Sequence, residues 1–314
     1  MRITQSMMTN KMLMNLNHNL RRLDKIQQKW ATGKNFNVPS DNPIGVAKSL
    51  ELTTAIARLG QYKKNAEDAL SWLEITESAI DDVGSILQRA RELAVSADGT
   101  ETPEDKQKVQ AEIDQLTEQL LQLANTTYAG KSIFTGYKTN QKLLDDDGTY
   151  HIDSKSDERM IYELGIGERI EINVLGHELF GIYDSASPDL DAVNRGEAQA
   201  GTHQSQLIAV LKDFSDALQN DDMDRINKTI ERIDKHLENI LSLRGEIGAK
   251  TNRLEMTIDR IEKDTLNFRE LLSNNEDADM AEVIMNFKMD ETVYRASLSS
   301  AARIIQPSLV DFLR

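Results

Sequence analysis

The residue types that could carry out chemistry are few in this chain and far apart along it. The sequence has no cysteine, which excludes thiol nucleophiles, thiolate metal sites and disulfide bonds. The five histidines stand singly, without a second histidine at metal-ligand spacing or a serine nucleophile motif nearby; they are His18, His151, His177, His203 and His236. We therefore expect no catalytic residues, no bound cofactor and no metal site.

Two short segments imitate ligand-binding loops but depart from the required pattern. Gly130-Lys131-Ser132 matches the last three residues of the phosphate-loop motif, but Asn125 occupies the position of the first glycine of that motif. Asp145-Asp146-Asp147-Gly148 has the acidity of a calcium loop, but its glycine comes at the fourth position and not at the sixth. Both segments are better interpreted as turns.

The charge balance limits the possible partners. The chain has 52 acidic and 37 basic residues among its 314, with a net charge of -15, which repels both phosphate backbones and anionic lipid. We therefore expect neither nucleic acid nor membrane as a partner. The first 35 residues lack the apolar run of a cleavable signal peptide, so export would have to depend on another signal.

Apolar residues at heptad spacing predict long helices. The row from Ile226 to Leu272 alternates steps of four and three and predicts one helix over 223–274, with an apolar row about 70 Å long. Rows over Leu70–Ala94 and Val109–Leu123 predict an antiparallel helical hairpin. The three apolar faces could form one core.

The region 139–201 has a different character. Alternating polar and apolar residues at Thr149–Ile152, Arg159–Glu163 and Arg169–Leu175 favour short strands, with turns at Asp147-Gly148 and Gly165-Ile166-Gly167. Residues 141–200 contain 14 acidic and 5 basic side chains, a net charge of -9. We expect a small acidic antiparallel insert that faces solvent, after which helix resumes near His203.

The two termini repeat the heptad pattern and carry opposite charge. Residues 1–34 have seven basic and one acidic side chain, whereas 276–314 have four basic and seven acidic, so the two ends attract each other. A helix pair cannot bury all of its apolar surface, and we expect other subunits to cover the rest. The alternative that both ends pack on the protein's own core stays open. The expected assembly residues are Leu13, Leu16, Leu20, Leu23, Trp30, Ile284, Phe287, Tyr294, Leu298 and Ile305.

The predicted fold is mainly α: a long-helix coiled-coil bundle formed by the N- and C-terminal segments, with a small β-rich insert in the middle. Its expected parts are terminal assembly helices at 1–42 and 276–314, a rod-like helical bundle at 43–138 and 202–275, and the acidic insert at 139–201.

Several segments together resemble a known family. Met1-Arg2-Ile3-Thr4, Ala31-Thr32-Gly33-Lys34 and Pro39-Ser40-Asp41-Asn42-Pro43 look like the start of bacterial flagellin-like proteins. The segments Ala124–Tyr137, Asp277–Glu282 and Pro307–Arg314 are also similar to that family. Within it, the chain most resembles the hook-associated members that join hook to filament.

The resemblance implies a structural, non-enzymatic protein of the bacterial flagellum. Such proteins are exported unfolded through the flagellar type III apparatus, without a cleaved signal peptide, and act outside the cell. Their terminal helices form an inner coiled-coil tube on assembly. The implied partners are further copies in a ring, another hook-associated protein, flagellin, and an export chaperone on the C-terminal helix.

The resemblance also marks one segment of the bundle. Leu87–Val95 looks like the flagellin segment recognised by the flagellin-sensing Toll-like receptor. Here we expect a contact within the bundle or between subunits, and Gln88, Arg89, Arg91 and Glu92 are its candidates. The alternatives to a junction protein are a flagellin filament subunit or a coiled-coil signalling module, which should show membrane spans or a symmetric hairpin tip.

Overall fold

The computed structural model describes the backbone of residues 5–97, 103–185 and 188–305. These ranges contain seven helices: α1 Gln5–Thr32, α2 Pro43–Ala97, α3 Pro103–Ala124, α4 Gly176–Phe180, α5 Gln206–Asn220, α6 Met223–Glu276 and α7 Met280–Ile305. They also contain six short strands: β1 Thr127–Tyr128, β2 Lys131–Ser132, β3 Ile161–Gly165, β4 Glu168–Glu171, β5 Ile182–Asp184 and β6 His203–Ser205. The predicted mainly α class is confirmed. The segments 1–4, 98–102 and 306–314 lie outside the described residues.

The chain divides into two compact units. One contains residues 1–59 and 263–314, and the other contains residues 60–262.

The 60–262 unit has a continuous apolar core. Its central side chains come from α2, α3, α5 and α6 and are almost fully buried: Leu73, Ile80, Leu87, Ile113, Leu120, Leu211, Phe214, Ile226, Ile233 and Leu254. Arg91 Nε bonds Asp234 Oδ1 at 2.6 Å, and Arg244 Nη1 bonds Asp81 Oδ1 at 2.5 Å. Since residue numbers rise along α2 as they fall along α6, the two helices run antiparallel.

The strands form three two-stranded antiparallel sheets. Strand β3 pairs with β4, with Ile161 opposite Glu171, and β5 pairs with β6, with Ile182 opposite Ser205. The predicted strand Thr149–Ile152 is reduced to isolated bridges at Thr149 and Tyr150. The Tyr150 side chain instead points into the core, where its hydroxyl donates to Gly181 O at 2.7 Å.

The region 139–201 contributes to the same core as the helices. Leu143, Leu144, Tyr150 and Phe180 are fully buried within that apolar cluster. The expectation of a solvent-facing insert therefore does not hold for these buried residues, whereas the charged side chains of the region and the apolar side chains of Ile161 and Ile166 stay exposed or half-buried. Alternation in the sequence showed which residues point inward but not what they pack against.

Helix α5 begins after the predicted position near His203. Ser205 caps it, with the side-chain oxygen accepting from Ile208 N at 3.4 Å. Residues 203–205 form strand β6, because their backbone pairs with β5 before the helix starts.

Candidate functional site

Helices α1 and α7 form an antiparallel pair within the unit of residues 1–59 and 263–314. Neither helix contains proline or glycine, so nothing in the sequence interrupts them. Gly33 ends α1 in the left-handed conformation, at φ +70°. Asp279 begins α7, since its Oδ1 accepts from Ala281 N at 2.9 Å.

The backbone next to these two helix ends fixes their register. Asn35 N donates to Glu276 O at 2.7 Å, and Ala278 N donates to Gly33 O at 2.8 Å. Lys34 forms an ion pair with Glu276. The Ala31–Lys34 segment therefore turns the chain out of α1 and ties it to the segment that precedes α7.

The row of side chains between the two helices is shifted from the predicted one. On α1 it consists of half-buried residues: Met12, Leu16, Asn19, Leu23 and Ile26. On α7 it consists of buried or half-buried residues: Val283, Phe287, Asp290, Tyr294, Ser297 and Ala301. The sequence predicted Leu16, Leu23, Phe287 and Tyr294 from this row. It missed the polar members, and also the apolar Met12, Ile26 and Val283, because the predicted row lies to one side of the observed row on each helix.

Polar contacts hold the middle of this row. Asn19 Nδ2 donates to Ser297 Oγ at 2.9 Å, and Arg22 Nε donates to Asp290 Oδ2 at 3.4 Å. Asp290 is only 3% exposed, whereas the Arg22 side chain is 51% exposed. A buried carboxylate needs a charged partner, so Arg22 selects the register in which Asp290 lies beside it.

Removing Arg22 is expected to weaken the α1–α7 contact more than removing Asp290 does. Arg22→Ala leaves a buried carboxylate unpaired and should lower the free energy of opening by about 2 kcal/mol, whereas Asp290→Ala frees an arginine that water can solvate and should cost about 1 kcal/mol. Hydrogen–deuterium exchange of the α7 amides would measure both values. Equal effects of the two variants would contradict the proposed role of Arg22.

Four of the predicted assembly residues lie outside the contact between α1 and α7. Leu13, Leu20, Ile284 and Leu298 are between 41% and 47% exposed. Residues seven apart share a helix face, so Leu13 and Leu20 lie on one side of the Leu16–Leu23 row. Ile284 and Leu298 lie on the corresponding side of α7. We call these four residues the leucine flank.

The remaining two predicted residues lie nearer the helix ends. Trp30 packs on Phe287 with ring centroids 5.0 Å apart, yet its side chain is still exposed. Ile305 is the last residue of α7, and its side chain lies outside the described residues.

The opposite side of the pair carries an open groove of about 500 Å³. Its apolar lining comes from Met8, Met12, Leu16 and Val293, and its polar lining includes Ser297. The groove therefore contains two of the four methionines that lie in the first half of α1, Met8 and Met12. Apolar surface is thus exposed on both sides of the contact between α1 and α7.

This unit buries very little apolar material. Among its described residues, only Phe36, Leu52, Val283 and Ala301 are buried apolar side chains. Phe36 fits against Gly45, where an added Cβ would come within 2.8 Å of its ring. Four such residues cannot form a core for a unit of this size.

The second predicted contact site is exposed but engaged within the chain. Arg89 Nε donates to Glu112 Oε1 at 2.7 Å, and this hydrogen bond raises the pKa of Arg89. Asp234 binds Arg91 and raises its pKa in the same way. Gln88 and Glu92 are exposed. These contacts join α2 to α3 and α6 and leave part of each side chain accessible.

Two kinds of feature were not found in the described part of the chain. It contains no group of three or more histidine and acidic side chains placed to hold a metal ion. None of its helices is long and apolar enough to cross a bilayer.

Two family models match the chain. The bacterial flagellin N-terminal helical region matches residues 3–139, and the bacterial flagellin C-terminal helical region matches residues 230–313. These two ranges include α1, α7 and most of the helical core. The chain belongs to the bacterial flagellin family.

Individual relatives agree with this assignment. A flagellin of Bacillus subtilis is 28% identical over 312 residues, covering 98% of this chain and 97% of the relative. The flagellar hook-associated protein 3 of Escherichia coli is also 28% identical, over 89% of this chain and 91% of the relative. The solved structure of a putative flagellar hook-associated protein from Vibrio parahaemolyticus shares the fold, with a TM-score of 0.62 at 16% identity over 76% of this chain and all of that one.

The chain is thus a structural component of the bacterial flagellum and not an enzyme. As a flagellar component, it is part of an extracellular structure.

Proposed function

We propose that the chain joins the hook of the flagellum to its filament and that it assembles into a ring through α1 and α7. The observation that carries this proposal is the apolar surface exposed on both sides of the α1–α7 pair, in a unit whose described residues include only four buried apolar side chains. A helix pair with such surface requires a partner that covers it. A ring supplies identical partners on both sides.

The leucine flank and the groove are suited to contact neighbouring copies. Burying one leucine or isoleucine contributes roughly 1.5–3 kcal/mol. A single such contact does not offset the cost of association, which is at least about 4 kcal/mol. The four residues of the leucine flank and the groove together exceed that cost, provided that they are covered at once.

The proposed partners follow from this arrangement. Neighbouring copies cover the sides of the pair, another hook-associated protein lies toward the hook, and flagellin lies toward the filament. Before assembly, an export chaperone binds α7 and covers Ile284 and Leu298. The chain travels unfolded through the flagellar export apparatus and keeps its N-terminal segment.

The proposed division of the chain into parts follows from assembly through α1 and α7. Residues 1–42 and 276–314 form the inner tube of the assembly, and residues 43–138 and 202–275 form a rod outside it. Residues 139–201 are the acidic part attached to that rod.

A filament subunit is the second candidate function. The flagellin of Bacillus subtilis and the hook-associated protein of Escherichia coli are equally similar, at 28% identity, so overall identity does not separate the two roles. The Ala31–Lys34 and Ala124–Tyr137 segments favour the junction role through their resemblance to hook-associated members.

Deleting the gene in its host separates the two candidates. Electron microscopy would show the hooks, and an immunoblot of the medium would show flagellin. Bare hooks with abundant flagellin outside the cells are expected for a junction protein. Bare hooks without any flagellin would identify the filament subunit, and normal filaments would exclude both roles. Restoring the gene on a plasmid is the control.

A further inference from the structure

The sulfur atoms of this chain are concentrated on one helix pair. There is no cysteine, so all sulfur is in the eleven methionines. Helix α1 contains 28 of the 314 residues and α7 contains 26. Seven of the methionines lie on these two helices: Met7, Met8, Met12, Met14, Met280, Met285 and Met289.

Most of these thioethers are accessible to solvent in the single chain. Met14 is 71% exposed and Met285 is 64% exposed. Met7, Met8, Met280 and Met289 are also exposed, and Met12 is half-buried in the groove beside Met8. Exposed methionine is a common site of oxidation, and methionine sulfoxide is converted back to methionine only by an enzyme.

We propose that the methionines of α1 and α7 are an oxidation site of the free subunit, and that two-electron oxidants such as hydrogen peroxide block assembly by converting them to sulfoxides. This inference rests on the proposed assembly through α1 and α7.

The chemistry is a balanced oxygen transfer. A lone pair of the methionine sulfur attacks one oxygen of hydrogen peroxide, and the O–O bond breaks. The departing oxygen takes up the proton of the transferred one and leaves as water. The thioether is oxidised by two electrons to a sulfoxide, and the peroxide is reduced.

The product opposes assembly for a physical reason. A sulfoxide is polar and chiral, whereas the thioether it replaces is apolar and adaptable. Covering a sulfoxide with an apolar neighbour removes its oxygen from water without supplying a hydrogen bond, which is unfavourable. Met8 and Met12 line the groove with Leu16 and Val293, so their oxidation alters the surface that a neighbouring copy would cover.

The test uses the purified full-length chain and the bare hooks of the deletion strain. The chain is treated with hydrogen peroxide, and peptide mass spectrometry measures the sulfoxide at each methionine. Treated and untreated protein are then added to bare hooks, and antibody-labelled hook tips are counted by electron microscopy. Oxidation on α1 and α7 is expected to reduce the labelled fraction at least tenfold, and methionine sulfoxide reductases should restore it.

Two variants separate this site from oxidation elsewhere. A chain in which all seven methionines of α1 and α7 are replaced by leucine should keep, after peroxide, most of the labelling that the same variant shows untreated. A Met256→Leu chain should remain as sensitive as the wild type, because Met256 is 66% exposed on α6 but belongs to the 60–262 unit.

The possible outcomes are distinct. Unchanged labelling with sulfoxide mapped on α1 and α7 would overturn the inference, as would a seven-leucine variant whose labelling falls after peroxide by the same factor as in the wild type. Untreated protein that never labels hooks would instead reject the proposed function, and the inference with it.

Discussion

Replacing Leu20 and Leu298 together by aspartate is expected to abolish assembly while the 60–262 unit stays folded. Both side chains belong to the leucine flank and are more than 40% exposed in the single chain, so their loss removes little that the monomer needs. Two leucines buried against a neighbour contribute roughly 4 kcal/mol together, or about a thousandfold in the association constant. Aspartate adds the cost of removing a carboxylate from water.

The measurement combines assembly with folding. Purified double variant is added to bare hooks and scored for labelled tips, and circular dichroism checks its helix content. Leu241→Asp is the matched control, because Leu241 is 65% exposed on α6 within the 60–262 unit. Wild-type labelling by the double variant would show that the leucine flank is not an interface, and a collapse of helicity would show that it serves folding instead.

Acid is expected to destabilise the 60–262 unit through His236. This side chain is buried on α6, and neither ring nitrogen has a hydrogen-bond partner among the described residues. Burial lowers the pKa of His236 from 6.5 to about 4. The native state therefore holds the imidazole neutral, because burial opposes a positive charge there.

The sign of the effect follows from linkage between protonation and folding. The unfolded chain takes up a proton at pH 6.5 and the folded chain only near pH 4, so the unfolded state binds more protons between these values. The stability contributed by neutral His236 is present above pH 6.5 and is lost as the pH falls to 4. The loss of unfolding free energy amounts to about 3 kcal/mol.

Two variants of His236 test this expectation. Urea unfolding followed by circular dichroism at pH 7.5, 5.5 and 4.5 gives the free energy for wild type, His236→Leu and His236→Asn. The two variants differ at neutral pH, since leucine packs in an apolar site and asparagine leaves polar atoms unpaired. In both variants the free energy of unfolding should fall less between pH 7.5 and pH 4.5 than in the wild type, because the contribution of His236 is absent. An equal acid loss in wild type and both variants would exclude His236 as its source.

The positions of the long helices could be predicted from the sequence. The heptad row predicted a helix over 223–274, and α6 spans Met223–Glu276. The predicted rows Leu70–Ala94 and Val109–Leu123 likewise fall within α2 and α3. Such features depend on residues within about four positions of one another, which is why periodicity and capping residues reveal them.

Part of the region 139–201 was not readable in the same way. Strand β5 has only three residues, and its partner β6 lies about twenty residues further along the chain. The predicted strand Thr149–Ile152 alternates correctly, but Tyr150 enters the core instead of continuing a ladder. A short strand exists only through its partner, so local alternation does not determine it.

The sequence by itself determined that this chain is built from long amphipathic helices and that its two ends carry opposite charge. Only the tertiary structure decided which faces of α1 and α7 meet. Arg22 and Asp290 are 268 residues apart, and their contact turns the leucine flank outward. Periodicity fixes the faces of each helix, but the choice between adjacent faces depends on polar contacts between distant residues, which local sequence does not encode.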